Sequence, residues 1–321
     1  MTKYFPKIKS IEIKKLFGEK DLKWDLEDSV NVLVGNNGTG KSTLLEIIRE
    51  LLSKRQPKFL RSIASVKIRL IGKSEVLYQN NELTPDEFND LISFLKDLEK
   101  NNNRIIGDSI TLLEELIKNN KNSKPLLGKF HFSPGTDIRN EQDIAVEYVS
   151  TVDMSANYTN LVTRSNGEIE NILDDDISRK LSELKIKTKR NKETYLQIKK
   201  RINDSLNLFL GDSGKSVSFD KDIVITYKEN TIDITSLSSG EKQVIYIFLS
   251  VANAYFNRAI ILMDEPEISL HLNWQEKLIS TIREINPDSQ LIIVTHSPAI
   301  VMKGWLSYFK DIADITVGSK S

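Results

Sequence analysis

The sequence predicts an α/β protein: a mostly parallel sheet, an antiparallel β-subdomain ahead of it, and a helical lid inserted between its halves. Three patterns carry that prediction. A β-branched run, VNVLV at 30–34, leads through a glycine-rich stretch into STLLEIIRELL, whose apolar residues Leu44, Leu45, Ile47, Ile48 and Leu51 keep helical spacing. The last third alternates helix-period and strand-period segments, as strands made parallel by crossover helices do. Residues 11–26 alternate in the strand period on either side of a short turn.

In chain order, IEIKKLF (11–17) and DLKWDL (21–26) flank the turn-like GEK and predict an antiparallel pair. Residues 66–78 read as strand. TPDEFNDLISFLKDLEK then reads as a helix in which Thr84 caps the start and Glu87 holds the capping-box position. NNNR and KNNKNSK read as surface loops, and KFHF (129–132) and IAVEYVS (144–150) as strands. From 169 to 210 the apolar positions Ile169, Leu173, Ile177, Leu181, Leu184, Tyr195, Ile198, Ile202 and Phe209 step mostly by three or four. That spacing predicts one long or two shorter amphipathic helices ending at Gly211. At 1.5 Å per residue a single helix there would reach roughly 60 Å, a lid or short arm. IVITYKENTIDI (223–234) reads as a hairpin, followed by a helix over 241–254, the strand AIILM, a helix around 275–285 and the strand LIIVT. No internal repeat is visible.

Composition bounds the function without naming it. Lys plus Arg (45) balance Asp plus Glu (45), so no global field steers the chain toward nucleic acid. There are no cysteines, which excludes disulfides and thiolate metal sites. No window approaches the ~18 apolar residues of a membrane span, and MTKYFPKIKS has no apolar run behind its charges. The expectation is a soluble cytosolic protein without a membrane partner.

The chemistry concentrates in four segments. GNNGTGKST (35–43) matches G-x-x-x-x-G-K-[ST], with Gly35, Asn36, Asn37, Gly38, Thr39, Gly40, Lys41, Ser42 and Thr43 forming the loop. Glycines let backbone N–H groups turn inward, the helix N-terminus adds positive potential, Lys41 reaches β- and γ-phosphates, and Ser42 offers a hydroxyl to Mg²⁺. RAIILMDEPE (258–267) ends an apolar strand in two carboxylates, Asp264 placed to support Mg²⁺ and Glu265 to polarise the attacking water. LSSGEKQ (237–243) opens a helix with Ser238, Ser239, Gly240 and Glu241; Ser-Ser-Gly there is also a plain N-cap. His296 follows the strand LIIVT.

In this order the four segments resemble those of ABC ATPases, P-loop NTPases that bind and hydrolyse ATP with Mg²⁺. LSSGEKQ resembles the LSGGQ signature. The resemblance implies that Ser238, Ser239, Gly240 and Glu241 bind the γ-phosphate held by a second copy of the chain, and that His296 is the switch histidine contacting the γ-phosphate. DEPEISLHLNWQ (264–275) is similar to the corresponding run of the RecF/OLD-like branch, which includes DNA-repair ATPases and the ATPases of anti-phage systems such as OLD, Septu PtuA and retron-associated proteins. His271 and Trp274 belong to this run, as helix-start packing or, by the resemblance, near a dimer-facing loop. Signature and phosphate loop are much farther apart than in transporter subunits, so the intervening segment reads as extra lid.

The resemblance implies a boundary scheme of 1–55 for the first half of the ATPase core, 56–235 for the inserted lid region and 236–321 for the second half. It implies a homodimeric sensor ATPase controlling a separate effector, a nuclease or toxin; the alternative is a stand-alone RecF-like ATPase of DNA repair, with DNA as partner. A transporter subunit fits least. Two departures stand out. The lid glutamine of many ABC ATPases is not evident, since IAVEYVSTVD ends in Ser150, Thr151 and Asp153 and the nearest glutamine, Gln142, precedes the strand. Nothing after His296 resembles a nuclease domain. The basic stretch at 185–201 reads as a solvated helix face or as a phosphate-backbone contact.

Overall fold

The computed structural model describes residues 5–55, 63–82, 126–138, 144–150, 161–163, 169–188, 192–219 and 222–318. The chain opens with β1 (Ile8–Leu16), β2 (Lys20–Asp25), β3 (Val30–Val34) and α1 (Lys41–Leu52), then β4 (Ser65–Leu70), β5 (Glu75–Glu82), β6 (Leu126–Ser133) and β7 (Ala145–Ser150). A short pair, β8 (Leu161–Thr163) and β9 (Ile169–Asn171), leads to α2 (Ile172–Thr188), α3 (Lys192–Leu210) and the strands β10 (Lys215–Phe219), β11 (Ile223–Tyr227) and β12 (Asn230–Ile232). The last part holds α4 (Ser239–Asn257), β13 (Ala259–Asp264), α5 (Leu272–Ile285), β14 (Leu291–Thr295), β15 (Phe309–Asp311) and β16 (Thr316–Val317).

Five strands form a fully parallel sheet in the order β15-β3-β14-β13-β7. Every residue of β13 and β14 is buried, which is why AIILM and LIIVT read as unbroken apolar runs. Their side chains still alternate. Ile261, Met263, Leu291 and Ile293 pack with α2, α3, α4 and α5, while Ile260, Leu262, Ile292 and Val294 pack with α1 and the second sheet. The period of two thus gives one sheet two separate cores.

The second sheet is antiparallel, β16-β2-β1-β4-β5-β6. It covers α1, whose Leu44, Leu45, Ile47, Ile48 and Leu51 lie in the core between the sheets. Residues 56–235 therefore serve three places: β4–β6 extend the antiparallel sheet, β7 edges the parallel sheet beside β13, and α2 to β12 form the helical layer. The helix expected from Thr84 and the loops expected at 101–104 and 118–124 lie outside the described residues.

Where the sequence allowed one long helix or two, the structure has two, α2 and α3. Ile169 belongs to β9 rather than to a helix. The buried stripe is otherwise as spaced: Leu173, Ile177, Leu181 and Leu184 on α2, Ile198, Ile202, Leu206 and Phe209 on α3. α3 ends at Leu210 and Gly211 opens a single 3₁₀ turn. Polar ties fasten α2 to the core. Lys180 pairs with Glu147 of β7 at 2.5 Å, Lys242 of α4 pairs with Asp174 at 2.8 Å, and Asn253 Nδ2 donates to the Lys180 carbonyl at 2.9 Å. Among the described residues no helix is long and apolar enough to cross a membrane.

Candidate active site

β3 delivers the chain to the glycine-rich loop, and the loop's curl needs glycine at two points: Gly38 (φ 74°) and Gly40 (φ 100°) are left-handed. At Gly35 a side chain would collide with Ile312, its Cβ only 2.6 Å from Cγ2. Gly40 is the N-cap of α1 and supplies no side-chain acceptor, so the first N–H groups of the helix are left for an anion. The Lys41 ammonium folds over the loop and donates to the Gly35 carbonyl (2.8 Å) and the Asn36 carbonyl (3.0 Å). Burial pulls that ammonium below its ordinary range, against the opposing attraction of Glu265, Asp264, Glu267 and Asp311. The result is a cavity of about 290 Å³ lined by residues 37–43, Phe17, Glu265 and His296.

The end of β13 brings the first carboxylate to this loop. Ser42 Oγ donates to Asp264 Oδ1 at 3.0 Å, and the Tyr148 hydroxyl of β7 donates to Oδ2 at 3.3 Å. The Arg49 guanidinium lies over the Tyr148 ring, 4.4 Å from its centroid. Ser150, the last residue of β7, stands directly across the ladder from Asp264. A hydroxyl beside a carboxylate is the hard-oxygen pair that Mg²⁺ takes when phosphates supply further ligands. Among the described residues no group of three or more His, Cys, Asp or Glu side chains could hold a metal without such help.

Glu265 leaves the strand with left-handed backbone (φ 50°), its N–H bonded to the Val294 carbonyl at 2.8 Å. This turn swings its carboxylate to the end of β14, where Oε1 lies 2.6 Å from His296 Nε2. The same nitrogen is 3.2 Å from Lys41 Nζ. An ammonium only donates and a carboxylate only accepts, so Nε2 serves one of them. The shorter contact is the one to Glu265.

Behind His296 lies Glu267, which is buried. Its Oε1 accepts from the Thr295 hydroxyl and from the backbone N–H groups of His296 and Ser297, both at 3.2 Å. Burial raises its carboxyl above the ordinary carboxylate range, and these donors oppose the rise.

The signature segment lies elsewhere. Ser238, exposed, caps α4 in a full capping box with Glu241. Glu241 is buried, and its Oε1 takes Lys215 Nζ at 2.6 Å and Ser213 Oγ at 2.8 Å while Oε2 takes Ser238. Burial pushes Glu241 up, but the bonds from Lys215, Ser238 and Ser213 prevail and hold the carboxyl below its ordinary 4.5. Gly240 is a close-approach glycine, since a Cβ there would meet the Ser269 carbonyl at 2.6 Å. None of Ser238, Ser239, Gly240 and Glu241 lines the phosphate-loop cavity. His271 is exposed at the start of α5 with its ring at 74° to that of Trp274, and Trp274 is buried with Nε1 donating to Asp212 at 3.1 Å. In the basic stretch, Lys185 pairs with Asp222, Lys187 donates to Asn253 at 3.0 Å and Arg201 to the Ile285 carbonyl at 3.4 Å. Gln142, Thr151 and Asp153 lie outside the described residues.

Two residues at the site, Phe17 and Tyr148, had no motif to announce them, and a third, Glu267, stood in a motif without a role assigned to it. Phe17 and Tyr148 look like ordinary members of alternating strands, but Phe17 stands in the turn after β1 with left-handed backbone (φ 55°), which brings its ring to Gly40, and the pairing of β7 with β13 brings Tyr148 to Asp264. Glu267 sits inside DEPEISLH, so its presence was visible although its bonds were not.

Residues 30–302 match the family model described as "AAA domain, putative AbiEii toxin, Type IV TA system". Septu protein PtuA of Bacillus thuringiensis is 26% identical over 309 residues, covering 92% of this chain and 72% of that protein. The "Retron Vc95 probable ATPase" of Vibrio cholerae serotype O1 biovar El Tor is 23% identical over 356 residues, covering 86% of this chain and 67% of that protein. In fold, the chain is similar to the SMC head domain from Thermotoga maritima, with a TM-score of 0.52 at 15% identity, covering 95% of this chain and 94% of that one. With its phosphate loop and paired carboxylates meeting at one cavity and most of its length inside the family model, the chain belongs to this AAA domain family and is an ATP-hydrolysing enzyme related to defence-system ATPases.

Proposed function

We propose that two copies of this ATPase close around ATP and that this closure controls a separate effector protein, a nuclease or toxin, in cytoplasmic defence against phage. The observation that carries the reading is the separation of two binding segments in one chain. The phosphate cavity gathers Lys41, Glu265 and His296, while the signature helix presents exposed Ser238 outside it. A cavity of about 290 Å³ is at the small end of sites that enclose a ligand, which favours completion by a second surface. The relatives PtuA and the retron ATPase support the defence setting.

Within each site the residues divide the work by position. Backbone N–H groups of the loop and of the start of α1 hold the phosphates, with Lys41 turning from the Gly35 and Asn36 carbonyls to the β- and γ-oxygens. Ser42 and Asp264 would hold Mg²⁺, which neutralises charge on the phosphates when bound. Tyr148 fixes the second oxygen of Asp264. Glu265 accepts the proton of the attacking water, and His296 beside it contacts the γ-phosphate. Phe17 at the rim offers a ring for the base. Glu241 acts as a cap that shapes the signature start, with Ser238 and the helix N-terminus making the contact to the other copy's nucleotide.

The DNA-repair alternative drew on the basic stretch at 185–201. With Lys185, Lys187 and Arg201 committed to partners within the chain, it has the weaker support. The test is size-exclusion chromatography with light scattering of the Glu265→Gln protein with and without ATP and Mg²⁺, followed by affinity purification and mass spectrometry of its partners. An ATP-dependent doubling of mass and an effector in the eluate are expected; a protein that stays monomeric with ATP bound would defeat the sandwich.

A further inference from the structure

We propose that Glu267 is the positioning residue for His296: its buried carboxylate grips the turn that carries the histidine and sets where the imidazole stands in the phosphate cavity. The inference rests on the reading of His296 as the γ-phosphate contact.

The geometry concentrates on one oxygen. Glu267 Oε1 accepts from the side chain of the residue before His296, from the N–H of His296 itself and from the N–H of the residue after it. These three donors span the point where β14 ends; without Glu267 the His296 N–H would lose its acceptor, the Thr295 hydroxyl would keep only the Ser297 carbonyl at 3.4 Å, and the Ser297 N–H would keep Thr295 Oγ1 at 2.9 Å. A carboxylate roughly doubles the strength of each bond relative to a neutral acceptor. The turn is held a second time, since Ser297 Oγ donates to Gln275 Oε1 at 2.8 Å and Gln275 Nε2 donates to the Leu270 carbonyl at 2.9 Å.

The segment that grips is itself fixed. Gln243 Nε2 of α4 donates to the Pro266 carbonyl at 2.8 Å, and Gly240 lets the signature helix lie directly on the Ser269 carbonyl. A carboxylate anchored at 266–270 can therefore hold the His296 turn against a rigid support rather than move with it. Oε2 of Glu267 is buried and makes no hydrogen bond among the described residues. Apart from its own backbone N–H, the donors to this carboxylate among the described residues all belong to the His296 turn.

The experiment is a double-mutant cycle on ATP turnover with His296→Ala and Glu267→Ala, full kinetics and a melting curve for each. Glu267→Ala is expected to lower kcat about tenfold with KM for ATP within about twofold. In the His296→Ala background the same change is expected to cost under about twofold, because the residue it positions is gone. Glu267→Gln keeps a carbonyl oxygen for the three donors and should recover most of the loss. Should Glu267→Ala fail to fold, Thr295→Val removes one donor at nearly constant volume and is expected to lower kcat about threefold, again without effect when His296 is absent. A full tenfold loss in both backgrounds, or unchanged kcat in both Glu267→Ala and Thr295→Val, overturns the proposal. If His296→Ala alone leaves turnover unchanged, the reading of His296 itself fails, which is a separate result.

Discussion

The phosphate cavity and the signature end of α4 use similar residue types in opposite ways. In the cavity, Lys41, Glu265 and His296 point their polar atoms at one another across a shared space, and Ser42 on its wall reaches Asp264. At the signature end the polar and charged groups point inward: Glu241 to Lys215, Ser213 and Ser238, Lys242 to Asp174, and Gln243 to the Pro266 carbonyl. What remains outward there is Ser238 and the start of a helix. On the function proposed above, the first region does chemistry on a ligand, while the second is tied inward by its capping box and ion pairs and offers a neutral tip.

That contrast can be broken from either side. The largest effect belongs to Glu265→Gln, expected to slow ATP hydrolysis by about 10²–10⁴-fold while ATP binding persists, measured by steady-state turnover and calorimetry. Lys41→Ala should instead lose binding itself. Next comes Lys242→Ala at the signature end. Both partners of the Lys242–Asp174 pair are nearly fully buried, so stranding Asp174 should cost about 3–5 kcal/mol in urea denaturation. A loss under about 1 kcal/mol would mean that rigidity there does not depend on inward-turned charge.

Ser238→Arg probes the outward tip. If two copies meet there as proposed, it should lower turnover about tenfold at saturating ATP, with the melting temperature nearly unchanged. Unaltered turnover would count against the tip meeting a nucleotide.

The smallest effect concerns acid. Glu241 is depressed in the folded state, so the stability it contributes is fully present above its ordinary 4.5 and is lost as pH falls through the lower folded value. Glu241→Gln, at a cost of about 0.5–2 kcal/mol at neutral pH, should flatten the pH dependence of stability below about pH 5, read by denaturant midpoints. An equally steep acid limb in the variant would show that the cap carboxylate is not what titrates.

The same contrast explains what could be read from sequence. The strand–loop–helix at 30–52 was legible because a β-branched run, a glycine-rich stretch and a helix-period run follow one another, and the structure turns the chain there with left-handed backbone at Gly38 and Gly40 before α1 begins at Lys41. β13 and β14 were legible because double-sided burial demands unbroken apolar runs. Glu241 is the instructive residue. Its type and place align with a ligand-contacting signature position, yet the serine three residues before it and Lys215, 26 residues before it, make it a cap and an ion-pair partner. Long-range pairing is what local pattern lacks. Tyr148 reaches Asp264 only because β7 lies beside β13 in a particular register, and that register follows from strand order rather than from anything within AVEYVS. The membership of β4, β5 and β6 in the antiparallel sheet was hidden for the same reason.

The left-handed backbone at Glu265 carries a consequence for sequence change over time. A residue with a Cβ at φ 50° is held there at about 1–2 kcal/mol above its relaxed state, whereas glycine or asparagine would occupy that turn more comfortably. Folding alone therefore pushes position 265 away from glutamate, and only the need for a carboxylate at that point in space pushes back. In a copy of this chain freed from the demand to turn over ATP, position 265 is where drift toward a better-folded but inert protein would begin, and the residue found there reports which of the two pressures has prevailed.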